Sequence, residues 1–533
     1  RGGACEELES LGLAVPTVKV RVLSTLPGPL AKARVAAATR IAELNRLPCN
    51  VEVTTRDGSN TGGQTLGRQL LESFSLLTTG LAERSTEAKL LLLAAISGEH
   101  VFFLGPPGTA KSLLARRLAF VCQGSFFERL LTRFTVPEEV FGPLSLKALE
   151  NDILERKVEG FLPNADVAFL DEVFKANSAI LNALLAVLNE RVFDNGGTRI
   201  KVPLWCAVAA SNELPESEEL DALFDRFLLR RSVPRVSDEA VQGFLRQTLD
   251  GVAGLTRSEG GSILTASDTQ VVAERAASAV SFPDRLLKLV VGLRAYLRDE
   301  VEPPMAISDR RLAKAVQLVR VATYAAGGSE VCELDLLLLQ HVFWDRAPEQ
   351  VEAVREWLFR RFAESDGEAE STQYLLSGVQ KRLKHLPLKK RVAATAHRDL
   401  LGLRDALEKQ LTAQRSRQQS LKVLLDGDRE NGVQKLRTFW LEPVDLNEAR
   451  VRLLPTLENG VKMVKAVLQQ VLELLEALSR PDAKERDQCL EGLLAQQLPG
   501  GANTDKVSFD DAKAVLEKFK MPENLEDLPG MGF

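Results

Sequence analysis

The chain has 533 residues, 45% of them hydrophobic and 26% charged, with 68 basic and 73 acidic side chains and a formal net charge of -5. That length exceeds one hydrophobic core and suggests about three or four domains, the composition excludes a disordered or fibrous chain, and the slight acidity supplies no global attraction to nucleic acid or anionic membrane. Six cysteines without a short-spaced pair, and the scattered His100, His341, His385 and His397, argue against a zinc knuckle, a disulfide framework or a histidine-rich metal site. A reducing compartment fits best. No stretch approaches the ~20 apolar residues of a membrane span, so a soluble protein of the cytoplasm or of an organelle stroma or matrix is expected. The chain begins at Arg1 without an initiator Met, which leaves an upstream piece, a targeting peptide included, open.

In chain order, the first part reads as a strand (Lys19 to Leu23), an Ala-rich helix (Leu30 to Leu47), a second strand (Val51 to Thr55) and a glycine-rich linker from Asp57 to Gly63. From Leu81 to about Val236, helical patterns alternate with short β runs at His100 to Leu104, Val167 to Leu170 and Leu204 to Ala209. Such alternation predicts a parallel sheet sandwiched by helices. From about Val271 to Ala363 the periodicity is helical throughout, with Leu286, Leu287, Leu289, Val290 and Leu293 as a candidate buried face. Farther on, Leu454, Val461, Leu468 and Leu475 recur every seven residues, each followed three positions later by an apolar residue. That spacing suits a coiled-coil helix, with an ordinary bundle helix as the alternative. A weaker helix (Leu400, Leu403, Leu407, Leu411) could pair with it antiparallel, leaving Asp426 to Pro443 as the tip. The end of the chain, beyond Pro499, reads as a tail.

The chemistry concentrates in the second part. Val101-Phe102-Phe103-Leu104 runs into Gly105-Pro106-Pro107-Gly108-Thr109-Ala110-Lys111-Ser112, which opens a helix from Leu113 to Phe120. A strand, a glycine loop, Lys-Ser and a helix form a phosphate-binding loop: backbone N–H groups and the helix N-terminus face the phosphates, Lys111 adds charge, and Ser112 ligates magnesium. Ala110 stands where glycine is usual and needs a compatible backbone angle. A second strand, Val167 to Leu170, ends in Asp171-Glu172, where Asp171 can hold magnesium through water and Glu172 can activate the attacking water. A third leads into Asn212, whose amide can position that water. Arg226, in Phe224-Asp225-Arg226-Phe227, suits stabilisation of the transferring phosphoryl group. Each has a plainer reading as a turn, a cap or a surface ion pair, and their joint occurrence weighs against those.

These pieces in this order resemble the AAA+ superfamily: Walker A at Gly105 to Ser112, Walker B at Val167 to Glu172, sensor 1 at Asn212 and an arginine finger at Arg226. More closely, Gly80 to Ser85, Gly105 to Arg117, Thr132-Arg133-Phe134, Pro137 to Leu144, Gly160 to Pro163 and Ala209 to Pro215 resemble the MoxR family and its RavA branch, whose members carry Ala at the position of Ala110. Ser308-Asp309-Arg310-Arg311 matches the sensor 2 position, with Arg310 taken as its nucleotide-binding arginine and Arg311 left open. The resemblance implies an α/β fold: a P-loop αβα core with a parallel sheet, an all-helical lid, and a helical or coiled-coil C-terminal region. It also implies a helix-2 insert at Gly142 to Ala165 and a hairpin at Phe193 to Pro203, both facing a ring pore or client.

Domain boundaries are expected at 1–70, 71–240, 241–363, 364–498 and 499–533. The implied activity is ATP hydrolysis with Mg2+ in a homo-oligomer, expected as a hexameric ring, that remodels, activates or inserts metal into an unidentified client protein. Two rivals are a nucleic-acid motor, which lacks a basic stripe with interleaved aromatics, and an ATP-responsive scaffold, against which Glu172 and Arg226 speak. No Asn-Lys-x-Asp guanine motif occurs, which disfavours a GTPase.

Overall fold

The computed structural model describes residues 61–215, 217–249, 266–345, 347–363, 394–426 and 437–494, with Ala37, Leu264 and Leu376 as isolated positions. The strands and helix expected before residue 57 and the tail beyond 499 lie outside these. The chain divides into two compact units: 51–364 with 417–458, and 1–50 with 365–416 and 459–533.

The larger unit opens with helix α1 (Thr61–Thr78), which takes in residues the glycine composition assigned to a linker. Its buried Leu66, Leu70 and Leu77, at helical spacing, carry the helix through the glycines. Helix α2 (Ser85–Ser97) is apolar on nearly every face and correspondingly buried. It stops at Gly98, whose left-handed backbone (φ 68) lets its N–H return to the Ala94 and Ala95 carbonyls.

There follow β1 (Val101–Leu104), α3 (Lys111–Cys122), β2 (Phe126–Leu130), two short helices α4 (Pro137–Phe141) and α5 (Leu146–Leu149), and β3 (Val167–Asp171). Next come α6 (Ser178–Glu190), the hairpin β4 (Val192–Asn195) and β5 (Thr198–Lys201), β6 (Cys206–Ser211), α7 (Glu218–Phe224) and β7 (Leu229–Ser232). The five-stranded sheet has the order β2-β3-β6-β1-β7 and every pairing in it is parallel. Side chains alternate between its faces: Val101, Phe103, Phe169 and Val208 join the core beneath α1 to α3, whereas Phe102, Ala168, Leu170 and Ala207 join the core beneath α6. Both faces are covered, as an all-parallel sheet requires.

Beyond α8 (Asp238–Leu249), an all-helical part comprises α9 (Ala266–Ala279), α10 (Asp284–Asp299), α11 (Asp309–Ala325), a 3-10 helix (Glu333–His341) and α12 (Gln350–Ala363). Helix α10 buries Leu286, Val290, Leu293 and Leu297, but Leu287 is exposed, because it lies about 100° around the helix from Leu286.

Helix α13 (Ala394–Asp426) precedes the segment that the heptad reading placed at a hairpin tip. Instead, Thr438, Phe439, Trp440 and Leu441 are buried in the larger unit. Trp440 Nε1 donates to the Ala322 carbonyl at 2.9 Å, Phe439 packs edge-on to Phe74, and Lys89 Nζ donates to the Leu441 carbonyl at 2.9 Å. Two aromatic rings need apolar cover, and α1 and α11 provide it. Helices α14 (Pro443–Glu448) and α15 (Leu454–Leu478) flank a π turn at Ala449–Leu453. Pro455 lacks an N–H and its ring crowds the carbonyl four residues back, which the wider turn accommodates.

In the smaller unit, Leu400, Leu403, Leu407 and Leu411 pack with Val461, Val464, Leu468, Val471 and Leu475, and with Leu490 and Leu493 of α16 (Ala483–Leu494). Among the described residues, Leu376 also joins this apolar seam.

Buried charge accompanies the returning segment in the larger unit. Gln340 Nε2 donates to Asp445 Oδ2 at 3.0 Å, Arg355 Nε lies 3.5 Å from Asp445 Oδ1, and Arg231 Nη1 lies 2.8 Å from Glu442 Oε1. Burial pushes the Asp445 carboxyl up to about 6, with the Gln340 hydrogen bond and Arg355 opposing and Glu442 reinforcing the rise. A carboxyl whose folded value is raised binds protons more tightly when folded, so its charged form costs stability at neutral pH and that cost fades as pH falls through the raised value. Asp445→Asn should therefore gain stability relative to the natural chain by about 1.4 kcal/mol more at pH 7.5 than at pH 5. Denaturant titrations of both proteins at the two pH values measure this, and a pH-independent difference would contradict it.

Candidate functional site: a phosphate loop and two carboxylates at one sheet edge

The loop after β1 owes its path to three residues with positive φ. At Gly105 (φ 156) a Cβ would come within 2.4 Å of the Val233 carbonyl oxygen, so β7 leaves no room for a side chain. Gly108 (φ 80) sits at the exposed crest. Ala110 adopts φ 67 and ψ 20, the left-handed conformation, at a cost of roughly 1 kcal/mol for a residue with a Cβ. Thr109 is buried, and its hydroxyl donates to the Pro106 carbonyl at 3.0 Å, closing the loop on itself. Pro107 is exposed beside Gly108. Ser112 lies half-buried in the first turn of α3.

Lys111 is buried and its Nζ donates to the Gly105 and Pro106 carbonyls at 2.6 and 2.8 Å. Burial pulls its pKa down, while the nearby Asp171 and Glu172 carboxylates push it up. Asp171 ends β3 in register with Ala210 of β6, half-buried, and burial raises its carboxyl pKa against the opposing charge of Lys111. Glu172 follows in a left-handed conformation, φ 52 and ψ 44, a strained backbone of the kind concentrated at reactive centres. Lys175 Nζ lies 3.2 Å from Glu172 Oε2, but without hydrogen-bond alignment, so that buried oxygen lacks a hydrogen-bond donor among the described residues. Asn212, exposed, stands one residue beyond β6, between the exits of β1 and β3. Gly105 N donates to the Ser211 carbonyl at 3.0 Å, which ties the phosphate loop to the Asn212 turn.

The donor set suits a magnesium nucleotide. Backbone N–H groups of a left-handed loop and a helix N-terminus favour phosphate oxygens, Lys111 supplies a nearby charge, and Ser112 with Asp171 supplies the hard oxygen ligands that magnesium takes. Glu172 Oε2, ion-paired with Lys175 but without a hydrogen-bond donor among the described residues, could accept one from a water.

Arg226 and Arg310 lie elsewhere. Arg226 precedes β7, whose first residue, Leu229, takes the His100 carbonyl at the entry end of β1. The phosphate loop leaves the other end, a strand of four residues away, or ~13 Å. Arg226 is half-buried beside Asp225, 3.6 Å away, and its pKa is lowered by burial and by the charge of Arg310. Arg310 sits in the first turn of α11, where Ser308 caps the helix through Arg311 N, Ser308 Oγ contacts Asp225 Oδ2 at 3.4 Å, and Lys314 Nζ reaches Glu99 Oε2 at 2.6 Å. Helix α11 thus starts at the entry edge of the sheet, and the structure does not bring Arg310 to the loop of its own chain. Arg311 is buried in structural bonds to the Trp344 carbonyl at 2.9 Å and Asp345 Oδ1 at 2.6 Å. The Arg310 side chain makes no hydrogen bond or ion pair among the described residues.

The segments matching the insert and hairpin form one body. Asn195 Oδ1 accepts from Arg156 N at 2.7 Å, and its Nδ2 donates to the Arg156 carbonyl at 3.1 Å. Leu146 and Leu154 on this body are 73% and 61% exposed, and nearby Phe134 is 91% exposed, unusual for side chains of this size. One contact was not foreseen, although Arg84 lies in the Gly80 to Ser85 stretch that carries the family resemblance: Arg84 donates to the Thr109 carbonyl, 25 residues away, and an arginine ahead of a helix carries no mark of that partner.

The chain is similar to known families over these segments. Residues 68–260 match the model described as the MoxR domain in the MoxR-vWA-beta-propeller ternary systems, and residues 285–358 match an AAA lid domain. The chain is 37% identical to the protein MJ0812 of Methanocaldococcus jannaschii over 323 residues, covering 60% of this chain and 81% of that one. It is 40% identical to MJ0079 of the same organism over 280 residues, covering 52% and 69%. Similarity to Chaperone MoxR1 of Mycobacterium tuberculosis is 28% over 195 residues, covering 35% and 49%.

Lys111→Ala should abolish binding of labelled ATP, because the phosphate charge loses its partner, whereas Glu172→Gln should bind ATP and lose turnover by 100-fold or more. Equal loss of affinity in both variants would defeat the division of roles.

Proposed function

Because the chain belongs to the MoxR family of AAA+ ATPases, we propose that it hydrolyses ATP between neighbouring copies of itself and spends the turnover on remodelling a client protein. The observation that carries this reading is the separation of charges across the sheet. Lys111, Asp171 and Glu172 gather at the exit edge, while Arg226 and Arg310 gather at the entry edge. One chain therefore holds a phosphate grip that its own Arg226 and Arg310 do not reach, and an arginine pair without a phosphate.

A ring resolves this, with each entry edge facing the next exit edge; six copies are the expected number. The loop N–H groups and Lys111 hold the β- and γ-phosphates, and Asn212 and Glu172 orient a water for in-line attack, with Glu172 accepting its proton. Arg226 of the preceding copy stabilises charge on the transferring group, and Arg310, beside it and without a side-chain partner among the described residues, acts with it from the same neighbour. Ser112 and Asp171 would hold magnesium, which would supply neutralisation of the charge on the phosphates. The exposed apolar insert is the proposed client-facing surface, and the description of the matched family points to vWA-domain and β-propeller proteins as partners. Insertion of metal into the client stands as the narrower form of this proposal.

Mixing tests it. Arg226→Ala and Glu172→Gln chains should each be inactive alone, since an arginine finger contributes roughly 10³ or more in rate. Mixed assemblies contain interfaces that pair an intact Glu172 with an intact Arg226, so part of the turnover should return; Arg310→Ala should complement Glu172→Gln in the same way. Mixed rings that form but stay inactive, or a monomer with the full rate, would overturn the proposal.

A further inference from the structure

Arg84 is 3% exposed, although it carries a permanent charge. Its Nε donates to the Thr109 carbonyl at 3.0 Å, Nη1 to the Glu83 carbonyl and Nη2 to the Pro234 carbonyl, both at 2.7 Å. None of these acceptors is a carboxylate. A buried guanidinium bonded only to neutral carbonyls is costly unless an anion lies close; the Glu83 and Glu87 carboxylates feel the charge of Arg84 and offset part of that cost. The adjacent cation is Lys111, which feels the charge of Arg84 and is itself bonded only to carbonyls. Thr109 immediately precedes the strained Ala110, so the Arg84 bond holds the loop where its left-handed turn begins.

The neighbouring residue extends the brace. Glu83, at φ 54, accepts from Ser237 N at 2.8 Å and from Ser237 Oγ at 2.5 Å. The Ser237 carbonyl in turn accepts from Ala240 and Val241 at the start of α8, the helix that leads toward the all-helical part.

We propose that Arg84 is a positioning residue for the nucleotide: it braces the phosphate loop through Thr109, adds a second buried positive charge behind Lys111, and, with Glu83, ties the loop to the first turn of α8. The ligand chemistry is a nucleoside polyphosphate, whose negative charge adds to that of Glu83 and Glu87 in offsetting the burial of the guanidinium. This rests on the ATP-binding reading above and goes beyond it by assigning ground-state affinity to a residue outside the phosphate loop. It follows that losing Arg84 weakens ATP binding far more than it slows the bound complex, and that the carbonyl bracing and the charge are separable, since lysine keeps the charge without the fork.

The test uses the full chain with Arg84→Met, Arg84→Lys and, as a control, Arg116→Met on the exposed face of α3, where Arg116 pairs with Glu128. Affinity for magnesium ATP by calorimetry, KM and kcat, and the thermal midpoint without nucleotide are measured for each. Arg84→Met should lose about tenfold or more in affinity, with KM rising in step and kcat changing less than about threefold; Arg84→Lys should recover part of the loss, and Arg116→Met should match the natural chain. A fall in the nucleotide-free midpoint with unchanged affinity would mark Arg84 as purely structural and overturn the proposal. If Arg84→Met does not fold, Arg84→Lys decides: affinity equal to that of the natural chain overturns the proposal, and a loss of severalfold at an unchanged midpoint supports it. Failure of the natural chain itself to bind ATP would instead defeat the reading on which the proposal rests.

Discussion

All the strands of the central sheet point the same way, so every connection enters at one edge and leaves at the other. This polarity governs the molecule. Gly105 to Ser112, Asp171-Glu172 and Asn212 follow three adjacent strands, and their meeting at the exit edge needs no contact beyond the ladders of β1, β3 and β6. The same rule sends Arg226, which precedes a strand, to the opposite edge. Helix α11 then adds Arg310 there, because Lys314 is anchored to Glu99 before β1. The separation of grip and arginines is thus a property of the topology, and side-chain rotation cannot close it.

Within the exit edge, strain is concentrated at Ala110 and Glu172, two residues with side chains and left-handed backbones. Both are flanked by strong constraints. Ala110 lies between the Thr109 carbonyl, held by Arg84, and the first turn of α3, where its own carbonyl accepts from Leu114. Glu172 follows the last ladder residue of β3, and its N–H donates to Asp171 Oδ1 at 3.1 Å. Such rigidity suits a site that must present several N–H groups to one ligand at once, since little ordering then remains for the moment of binding.

Much of this was legible in the sequence because the decisive signals are local. A glycine loop between an apolar run and a helix, and carboxylates at the end of a second apolar run, report their own geometry. Strands β2 and β7 did not announce themselves: Phe126–Leu130 contains Glu128 and Arg129, and Leu229–Ser232 contains Arg230 and Arg231, so neither looks like a buried strand. Arg230 is nevertheless 1% exposed, stacked 3.6 Å over the Phe224 ring, bonded to two carbonyls of the preceding turn and paired with the Asp345 carboxylate. Charges neutralised by distant partners are invisible to periodicity. Arg310 and Arg311 show the same limit, for adjacent arginines on one helix differ in position only by the 100° turn that buries one beside Asp345 and leaves the other half-exposed. The aromatic pair Phe439-Trp440 was misplaced because a short apolar cluster between two helices fits a turn as readily as an anchor.

That anchor changes what counts as a module. The matched family models end at residue 358, yet Trp440 fills a seat on α11, Phe439 lies against Phe74, and Lys89 in the buried α2 donates to the Leu441 carbonyl. The core of the ATPase part is consequently completed by residues some eighty positions beyond its recognisable end. Shuffling between relatives that exchanged only the recognisable stretch would expose that seat, so the returning strip and the surface it covers must be inherited together. Modularity in this chain is drawn by burial, and its true seam lies well downstream of the point where the matched domain models end.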